Sequence, residues 1–325
     1  MNKILITGGC GYVGSKLVPF LLNKGYEISV IDLMIYGNSL PSHKNLNVYQ
    51  DDIRNLHMID DLTKSHDIFI HLACISNDPS FELDPGLGKS INFDCFEDIV
   101  KISKKNLIKR FILASSGAVY GINEHKNITE DIETNPITDY AVYKLESEKV
   151  LFKYTDDNFV GSAIRSATVC GYAPRQRLDV VVNILTNLAY NKKEISVFGG
   201  DQLRPNIHID DVCEAYLKFI EADKNLINHN FFNICGENHK VSEIADIVKS
   251  CMPFEVKIKT TTSDDIRSYH LSSAKIKKVL NFQCSKNIKI AVNDLVKSFK
   301  DGLLPNSLTD ENYFNVKKMK KINLT

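Results

Sequence analysis

The chain has 325 residues, and its 40 lysines and arginines balance its 40 aspartates and glutamates. This length allows two domains with a real hydrophobic core, and 43% hydrophobic residues with no net charge exclude global disorder. The balanced charge also argues against a nucleic-acid partner. No segment approaches the ~20 uncharged apolar residues of a membrane-spanning helix, so we expect a cytoplasmic protein without a membrane partner.

The eight cysteines are spread along the chain without a CxxC pair, and most of them lie inside apolar runs. Such positions are typical of reduced, buried thiols, whereas disulfide frameworks and zinc sites use paired spacings. We therefore expect neither disulfides nor a bound metal.

The first half of the chain alternates short β-branched runs with longer segments of helical periodicity. Strands are predicted at 3–6, 28–31, 68–72, 111–114 and 160–164, and helices at 12–23, 92–105 and 139–154. This alternation is typical of a Rossmann-type α/β fold, a doubly wound parallel sheet with helices on both faces. Ligands of such folds bind beyond the carboxyl ends of the strands, so the residues directly after each strand are the first candidates for a site.

The alternation changes at about residue 173, where a turn rich in proline and arginine begins. We expect a smaller mixed α/β domain made of 173–204 plus 233–305, while 1–172 plus 205–232 form the first domain. The last segment, 306–325, is expected to be a solvated basic tail, and an anionic partner is the alternative. Its charges are Lys317, Lys318, Lys320 and Lys321.

A glycine-rich turn follows the first strand and opens the first helix. It contains Gly8, Gly11 and Gly14, with Tyr12 and Val13 between the last two. Glycines allow a tight turn and close approach of the backbone to a pyrophosphate, and the helix N-terminus presents unpaired N–H groups to it. These five residues are therefore candidates for binding a dinucleotide.

An aspartate ends the second strand, 18 residues after the last of these glycines. Its carboxylate, Asp32, can accept hydrogen bonds from both ribose hydroxyls of NAD, whereas it would repel the 2′-phosphate of NADP. Leu33 and Met34 offer no cation for such a phosphate, so the sequence favours NAD. Asp52 and Ile53 follow another short apolar run and suit an adenine ring, with a surface turn as the alternative.

These motifs and several later ones resemble, in order and spacing, the extended short-chain dehydrogenase/reductase family over about residues 1 to 300. The matching segments are the glycine turn, Asp52-Ile53, His71-Leu72-Ala73, Asn92, and the run from Ser115 to Gly121. The resemblance implies that Leu72, Ala73 and Asn92 contribute to the cofactor site and that Ser116 is the catalytic serine.

Tyr140 and Lys144 lie four residues apart on a predicted helix, and therefore on one face of it. A nearby ammonium favours the phenolate, so Lys144 is expected to lower the pKa of Tyr140 and assist proton transfer. A packing tyrosine beside a solvated lysine is the alternative for this pair alone. Ser116 lies just past another strand, and its position favours the catalytic interpretation of the pair. Tyr140 would then exchange a proton with a substrate hydroxyl, and Ser116 would orient that oxygen. Lys144 would also bind the nicotinamide ribose.

Within the family, the chain most resembles the branch of nucleotide-sugar epimerases and dehydratases typified by UDP-galactose 4-epimerase. Asn183 and the segments 199–211 and 265–269 match that branch. The resemblance implies that Arg204 and Arg267 bind the diphosphate of a sugar nucleotide and that Asn183 contacts the substrate, and guanidinium forks suit phosphate oxygens. Ser76 and Asn77, in the loop after the fourth strand, are candidates for contact with the hexose. An Asx turn is the alternative there.

In the 4,6-dehydratases of this branch an Asp-Glu pair follows the catalytic hydroxyl, whereas Gly117 and Ala118 occupy those positions here. Dehydration therefore has no evident catalyst, and we expect NAD-dependent oxidoreduction at C4 of a nucleotide-diphosphate sugar, with 4-epimerisation as the leading reaction. A net 4-dehydrogenase that yields a 4-keto sugar nucleotide shares the same groups. A non-catalytic NAD-binding regulator is less favoured because the catalytic residues are all present. The resemblance also implies a homodimer formed through the helix that carries Tyr140.

Overall fold

Seven parallel strands form the central sheet of the computed structural model, which describes residues 2–123, 125, 127–262 and 268–322. The strands in chain order are β1 (Lys3–Thr7), β2 (Glu27–Asp32), β3 (Leu46–Gln50), β4 (Ile68–His71), β5 (Arg110–Ser116), β6 (Val160–Ser166), β7 (Thr168–Cys170), β8 (Glu194–Phe198), β9 (Leu203–His208), β10 (Asn230–Ile234), β11 (Glu237–Lys240) and β12 (Lys257–Thr261). The central sheet has the order β3-β2-β1-β4-β5-β6-β10, and all its neighbours pair in parallel. The predicted doubly wound α/β fold is confirmed, and β3 and β10 widen it beyond the five predicted strands.

Two smaller sheets lie outside the central one, in the second half of the chain. β9 pairs with β7 in parallel and with β11 antiparallel. β8 and β12 form a parallel pair. These mixed pairings are of the kind expected for the smaller α/β part of the protein.

Helices cover the sheet and build much of the second half of the chain. They are α1 (Gly14–Asn23), α2 (Leu56–Thr63), α3 (Asp78–Phe81), α4 (Pro85–Lys89), α5 (Phe96–Lys105), α6 (Asp139–Tyr154), α7 (Val181–Lys192), α8 (Ile209–Glu221), α9 (Lys224–Ile227), α10 (Val241–Ser250), α11 (Ala274–Leu280), α12 (Ile288–Lys300) and α13 (Asn315–Met319). A π-helical turn, Ser90–Asp94, precedes α5, so the helix predicted at 92–105 is regular only from Phe96. None of the described helices is long and apolar enough to cross a membrane.

Alternate residues of the central strands face two separate hydrophobic cores. Ile4 and Ile6 of β1 pack with α1 and α8 on one face, and Leu5 packs with α2, α5 and α6 on the other. A third core lies apart from the sheet, where α7, α10 and α12 pack with β8. This core supports a second domain, although α11, inside its predicted limits, packs against β10 of the central sheet. The domain boundaries stay a prediction.

The C-terminal segment, residues 306–322, folds back onto the second half of the chain. The backbone N–H of Leu178 donates to the carbonyl of Tyr313 (2.8 Å), and the Asn187 amide donates to the carbonyl of Ser307 (2.9 Å). Exposed lysines on this segment remain in solvent, as expected of a basic run. Its backbone carbonyls nevertheless accept hydrogen bonds from the rest of the chain. The segment is therefore not a free tail.

A buried ion pair ties α6 to the strands beneath it. The Arg165 guanidinium on β6 binds the Glu148 carboxylate on α6, with 2.6 Å from Nη2 to Oε2, and both side chains are at most 3% exposed. Glu148 also accepts a hydrogen bond from Ser115 on β5, and Arg165 donates one to the Tyr120 hydroxyl (2.9 Å). The network therefore fixes α6 relative to the carboxyl ends of β5 and β6.

α6 is also the helix through which the resemblance implies a homodimer. Leu151 is fully buried in the core of the chain itself. Tyr143, Leu145 and Val150 are half-buried and pack against the same cores. The homodimer stays a prediction, and Leu151 is not available to form its interface.

We expect Arg165→Ala to lower the free energy of unfolding by about 3–5 kcal/mol, because it leaves the Glu148 carboxylate buried without its counter-charge. Denaturant unfolding followed by circular dichroism measures this loss. As a control, Lys101→Ala removes a 49% exposed partner of Glu97 and should cost no more than about 1 kcal/mol. Equal losses in the two variants would contradict the importance of the buried pair.

Candidate active site

The glycine turn after β1 packs against its neighbours more closely than a side chain would allow. A Cβ on Gly8, whose φ is +73°, would lie 2.6 Å from the backbone nitrogen of Ala73, and one on Gly14 would lie 2.5 Å from Cα of Gly9. α1 begins at Gly14, so the positive end of its helix dipole lies at this turn. The predicted residues of the turn all line one large cleft, namely Gly8, Gly11, Tyr12, Val13 and Gly14.

Asp32 ends β2 and lines the same cleft. One carboxylate oxygen accepts a hydrogen bond from the backbone N–H of Cys10 (2.9 Å), and the other accepts one from Met34 (2.7 Å). Burial raises the pKa of Asp32, and the two backbone hydrogen bonds and nearby Arg175 oppose that rise. Each oxygen keeps a further lone pair, so this fixed carboxylate fits the ribose hydroxyls of NAD.

The other predicted cofactor residues divide into those that line the cleft and those that support it. Asp52 is bound by the Arg54 guanidinium, with 2.7 Å from Nη2 to Oδ2, and Asp51 lines the cleft in its place. Asn92 is buried, and its amide binds the backbone N–H and carbonyl of Ile75 (2.8 and 3.0 Å). Asn92 therefore fixes the loop after β4 and is not part of the cleft wall. The residues that do line the cleft are Ile53, Leu72 and Ala73.

The three predicted catalytic residues come together at the carboxyl end of β5. Ser116, Tyr140 and Lys144 all line the cleft. The Lys144 ammonium donates a hydrogen bond to the carbonyl of Ala114 (2.8 Å) and lies 5.8 Å from the centre of the Tyr140 ring. α6 begins beside them, where the Thr138 hydroxyl accepts a hydrogen bond from the backbone N–H of Ala141 and caps the helix.

The electrostatic surroundings of the Tyr140 phenol differ from the expected ones. Burial raises the pKa of Tyr140, and the nearby Cys74 and Asp78 raise it further. Arg177 and a hydrogen bond with Ser116 act in the opposite direction. Arg177 is thus a cation that lowers the Tyr140 pKa in this structure, and the same effect of Lys144 stays a prediction.

Two predicted substrate residues lie on the loop after β4. Ser76 and Asn77 both line the cleft. The Asn77 side chain accepts a hydrogen bond from the backbone N–H of Ser80 (3.0 Å) and caps α3, so the local turn considered as the alternative is present. Arg204 lines the cleft as well. Arg267 lies outside the described residues.

Asn183 does not lie at the cleft wall. Its side chain is fully buried, and its oxygen accepts a hydrogen bond from the backbone N–H of Gly171 (3.0 Å). Its amide nitrogen donates to the Tyr12 hydroxyl (3.0 Å) and to the carbonyl of Arg177 (2.8 Å). Because these internal partners occupy both ends of the amide, Asn183 fixes the turn before α7, and the structure gives no support to a direct contact with substrate.

The cleft is also lined by residues that the sequence did not assign to a site, among them Tyr36, Arg175, Arg177 and Asn315. The two arginines follow β7, at a position that the carboxyl-end rule favours, so the sequence did carry a signal for them. Arg177 is paired with Asp179, with 2.5 Å from Nε to Oδ1, and donates to the Ser76 hydroxyl (3.4 Å). Asn315 lies 140 residues from Arg175 along the chain, and no local pattern indicates their contact.

The glycine turn, Asp32, the three predicted catalytic residues and Arg204 all line one cleft of about 550 Å³. That volume lies within the ~300–1,000 Å³ of small-molecule sites. The glycine turn and Asp32 lie in one part of it, and Tyr140 and Arg204 lie in another. The fold and the site together define a Rossmann-type enzyme of the short-chain dehydrogenase/reductase class.

The model of the NAD dependent epimerase/dehydratase family matches residues 4–235, and the chain belongs to this family of NAD-dependent enzymes. It is 26% identical to the UDP-glucose 4-epimerase of Bacillus subtilis (strain 168) over an alignment of 316 residues. This alignment covers 88% of this chain and 93% of the relative. It is 25% identical to the UDP-glucuronate 4-epimerase of Thermodesulfobacterium geofontis (strain OPF15) over an alignment of 331 residues. This second alignment covers 92% of this chain and 100% of the relative. The crystal structure of UDP-glucose 4-epimerase with UDP-glucose from Thermotoga maritima matches with a TM-score of 0.83 at 26% identity, over 93% of this chain and 99% of that chain.

We expect Gly8→Ala to weaken NAD binding at least ~10-fold, because its Cβ would push the glycine turn away from the backbone of residue 73. Isothermal titration of cofactor-free protein with NAD measures the change. Gly37→Ala is the matched control, since Gly37 also has a positive φ (+83°) but has nothing within 4 Å of the added atom. Similar losses in both variants would assign the effect to backbone strain and contradict the close-packing argument.

Proposed function

We propose that the chain is a 4-epimerase that acts on a nucleotide-diphosphate sugar. The observation that carries this proposal is that the Tyr140 phenol, which interacts with Ser116 and Arg177, lies in the cleft that also contains the glycine turn and Asp32. Residues 117 and 118 are Gly and Ala, so the Asp-Glu pair expected of a 4,6-dehydratase is absent from these positions. The arrangement therefore supports oxidation and reduction at one carbon without elimination of water.

Oxidation of a sugar at C4 removes a hydride from the carbon and a proton from its hydroxyl. Bound NAD supplies the hydride acceptor and, in its oxidised form, a positively charged ring. Tyr140, as phenolate, accepts the hydroxyl proton and returns it when the keto group is reduced on its other face. Ser116 donates a hydrogen bond to the same oxygen and orients it. Each group thus ends the cycle in its starting state.

The protonation state of Tyr140 depends on the charges around it. Burial raises the pKa of the phenol, so the phenolate needs nearby positive charge. Arg177 provides such charge from the turn after β7, and Lys144 adds to it from the same face of α6. Asp179 holds Arg177 in place, so this effect on Tyr140 is built into the folded chain.

The diphosphate of the substrate is assigned to Arg204, at the start of β9. Arg204 lines the cleft, and a guanidinium suits phosphate oxygens, although Nη1 also donates to the carbonyl of Leu203 (3.0 Å). Arg267 is proposed for the same role on the resemblance alone. The related Thermotoga maritima epimerase was solved with UDP-glucose, which supports a sugar nucleotide as the ligand of this cleft.

We expect Tyr140→Phe to lower turnover at least ~100-fold with the fold intact, because the variant keeps the ring and loses only the proton-transferring hydroxyl. Steady-state assays with the accepted sugar nucleotide measure kcat. Tyr143→Phe makes the same change on the same helix, where the ring packs against Phe81 and Phe93 with centres 5.8 and 5.2 Å away. This control should retain near-normal turnover, and near-normal turnover of Tyr140→Phe would refute the assignment.

Incubation with a panel of UDP-, GDP-, CDP- and TDP-sugars tests the reaction itself. We expect inversion at C4 without net growth of NADH absorbance, because the hydride taken from the substrate returns to the product. Product configuration is measured by nuclear magnetic resonance and NADH by its absorbance. Net NADH with a 4-keto product would instead identify a 4-dehydrogenase, and loss of water would identify a dehydratase.

A further inference from the structure

Arg175 is a buried cation at the cleft wall, and no carboxylate of the described residues forms an ion pair with it. It is only 6% exposed and lines the cleft. Its guanidinium stacks on the ring of Tyr36, 3.6 Å from the ring centre, and Nη2 donates a hydrogen bond to the side-chain oxygen of Asn315 (2.7 Å). The buried Nε has no hydrogen-bond partner.

A buried positive charge is unfavourable unless an anion lies close to it. Removing a guanidinium from water without a counter-charge is strongly unfavourable. Burial lowers the pKa of Arg175 to about 10, which still leaves the group protonated at neutral pH. Arg177, two residues later, shows the contrast, because Asp179 pairs with it directly. An unpaired buried cation with a free Nε at a cleft wall fits an anionic ligand in that cleft.

The neighbours of Arg175 indicate which anion it meets. Its backbone N–H donates to the hydroxyl of Ser15 (3.1 Å), in the first turn of α1, where the helix N-terminus favours phosphate. It also lies near enough to Asp32, the ribose-binding candidate, to lower the pKa of that carboxylate. Ser15 lies on the helix that follows the glycine turn and Asp32 lines the cleft, so both neighbours are close to the candidate cofactor residues.

We propose that Arg175 binds the pyrophosphate of NAD, and that Asn315 of the C-terminal segment holds it in position. The guanidinium meets a phosphate oxygen at the cleft wall while Nη2 stays bound to Asn315. The Asn315 amide donates to the Ser76 hydroxyl (2.9 Å), and its backbone N–H donates to the Asp179 carboxylate (2.7 Å). The C-terminal segment thereby completes the cofactor site. The proposal concerns retention of NAD and is independent of which sugar reaction the enzyme performs.

The first test is Arg175→Gln, titrated calorimetrically as cofactor-free protein with NAD, ADP-ribose, adenosine and UDP. We expect about 10- to 100-fold weaker binding of NAD and ADP-ribose, which carry the cofactor pyrophosphate, because a charge-assisted hydrogen bond is lost. Adenosine and UDP should bind as to the wild type. The melting temperature of the cofactor-free variant should not fall, since the change removes an unpaired buried charge.

The second test separates ligand binding from a structural role. Asn315→Asp keeps the shape of the side chain and places a carboxylate beside Arg175, so it should compete with the pyrophosphate and weaken NAD binding at least ~10-fold. It should also preserve or raise the melting temperature of the cofactor-free protein. Asn312→Asp is the control, because it adds the same charge to the same segment at a residue that does not bind Arg175. It should leave NAD affinity close to that of the wild type.

Three results would overturn the proposal. Unchanged affinity of Arg175→Gln for NAD and ADP-ribose would remove Arg175 from the cofactor site. Weaker binding of UDP alone would assign Arg175 to the diphosphate of the substrate. Unchanged NAD affinity of Asn315→Asp would reduce the Arg175–Asn315 contact to a structural one. All of these readouts are equilibrium binding or melting, so they stand even where the 4-epimerase proposal fails.

Discussion

The common direction of the central strands is the constraint on which the whole site depends. Because the seven strands are parallel, their carboxyl ends meet at one edge of the sheet, and residues far apart in the sequence meet there. Asp32 ends β2, Ala73 follows β4 and Ser116 ends β5. A five-residue strand spans about 17 Å. Reversal of any one of these strands would therefore carry its functional residue to the opposite edge, outside hydrogen-bonding reach of the cofactor.

The sheet brings these residues to one edge, but it does not by itself fix the helix that carries Tyr140. The Arg165–Glu148 pair supplies that second constraint, because it joins α6 to β6 and, through Ser115, to the strand that carries Ser116. Tyr140 lies eight residues before Glu148 on α6, about 12 Å along the helix axis. Rotation or sliding of α6 would break the buried pair, so the position of Tyr140 relative to Ser116 is tied to an interaction that is costly to lose.

The sequence predicted most of what depends on short-range pattern. The central strands, the glycine turn, Asp32 and the pairing of Tyr140 with Lys144 follow from periodicity and spacing, and the structure places them together. The features that the sequence did not show depend on contacts that no local pattern encodes. Asn183 has internal hydrogen-bond partners that become visible only in the folded chain, and the contact between Arg175 and Asn315 joins segments 140 residues apart. The run of lysines near the C-terminus correctly predicted side chains exposed to solvent. It gave no indication that the backbone of the same segment packs at the cleft.

The zero net charge of the chain conceals an uneven distribution of charge inside the cleft. Arg177 has an internal counter-charge, Asp179, that is present in the folded chain. Arg175 has no such carboxylate among the described residues, so in our proposal NAD binding relieves an electrostatic cost present in the folded protein. A 4-epimerase must hold its reduced cofactor until the hydride returns to the sugar, while its sugar nucleotides bind and leave in every cycle. In our two proposals, the unpaired Arg175 favours retention of the cofactor, whereas the charge of Arg177 beside Tyr140 is already matched by Asp179.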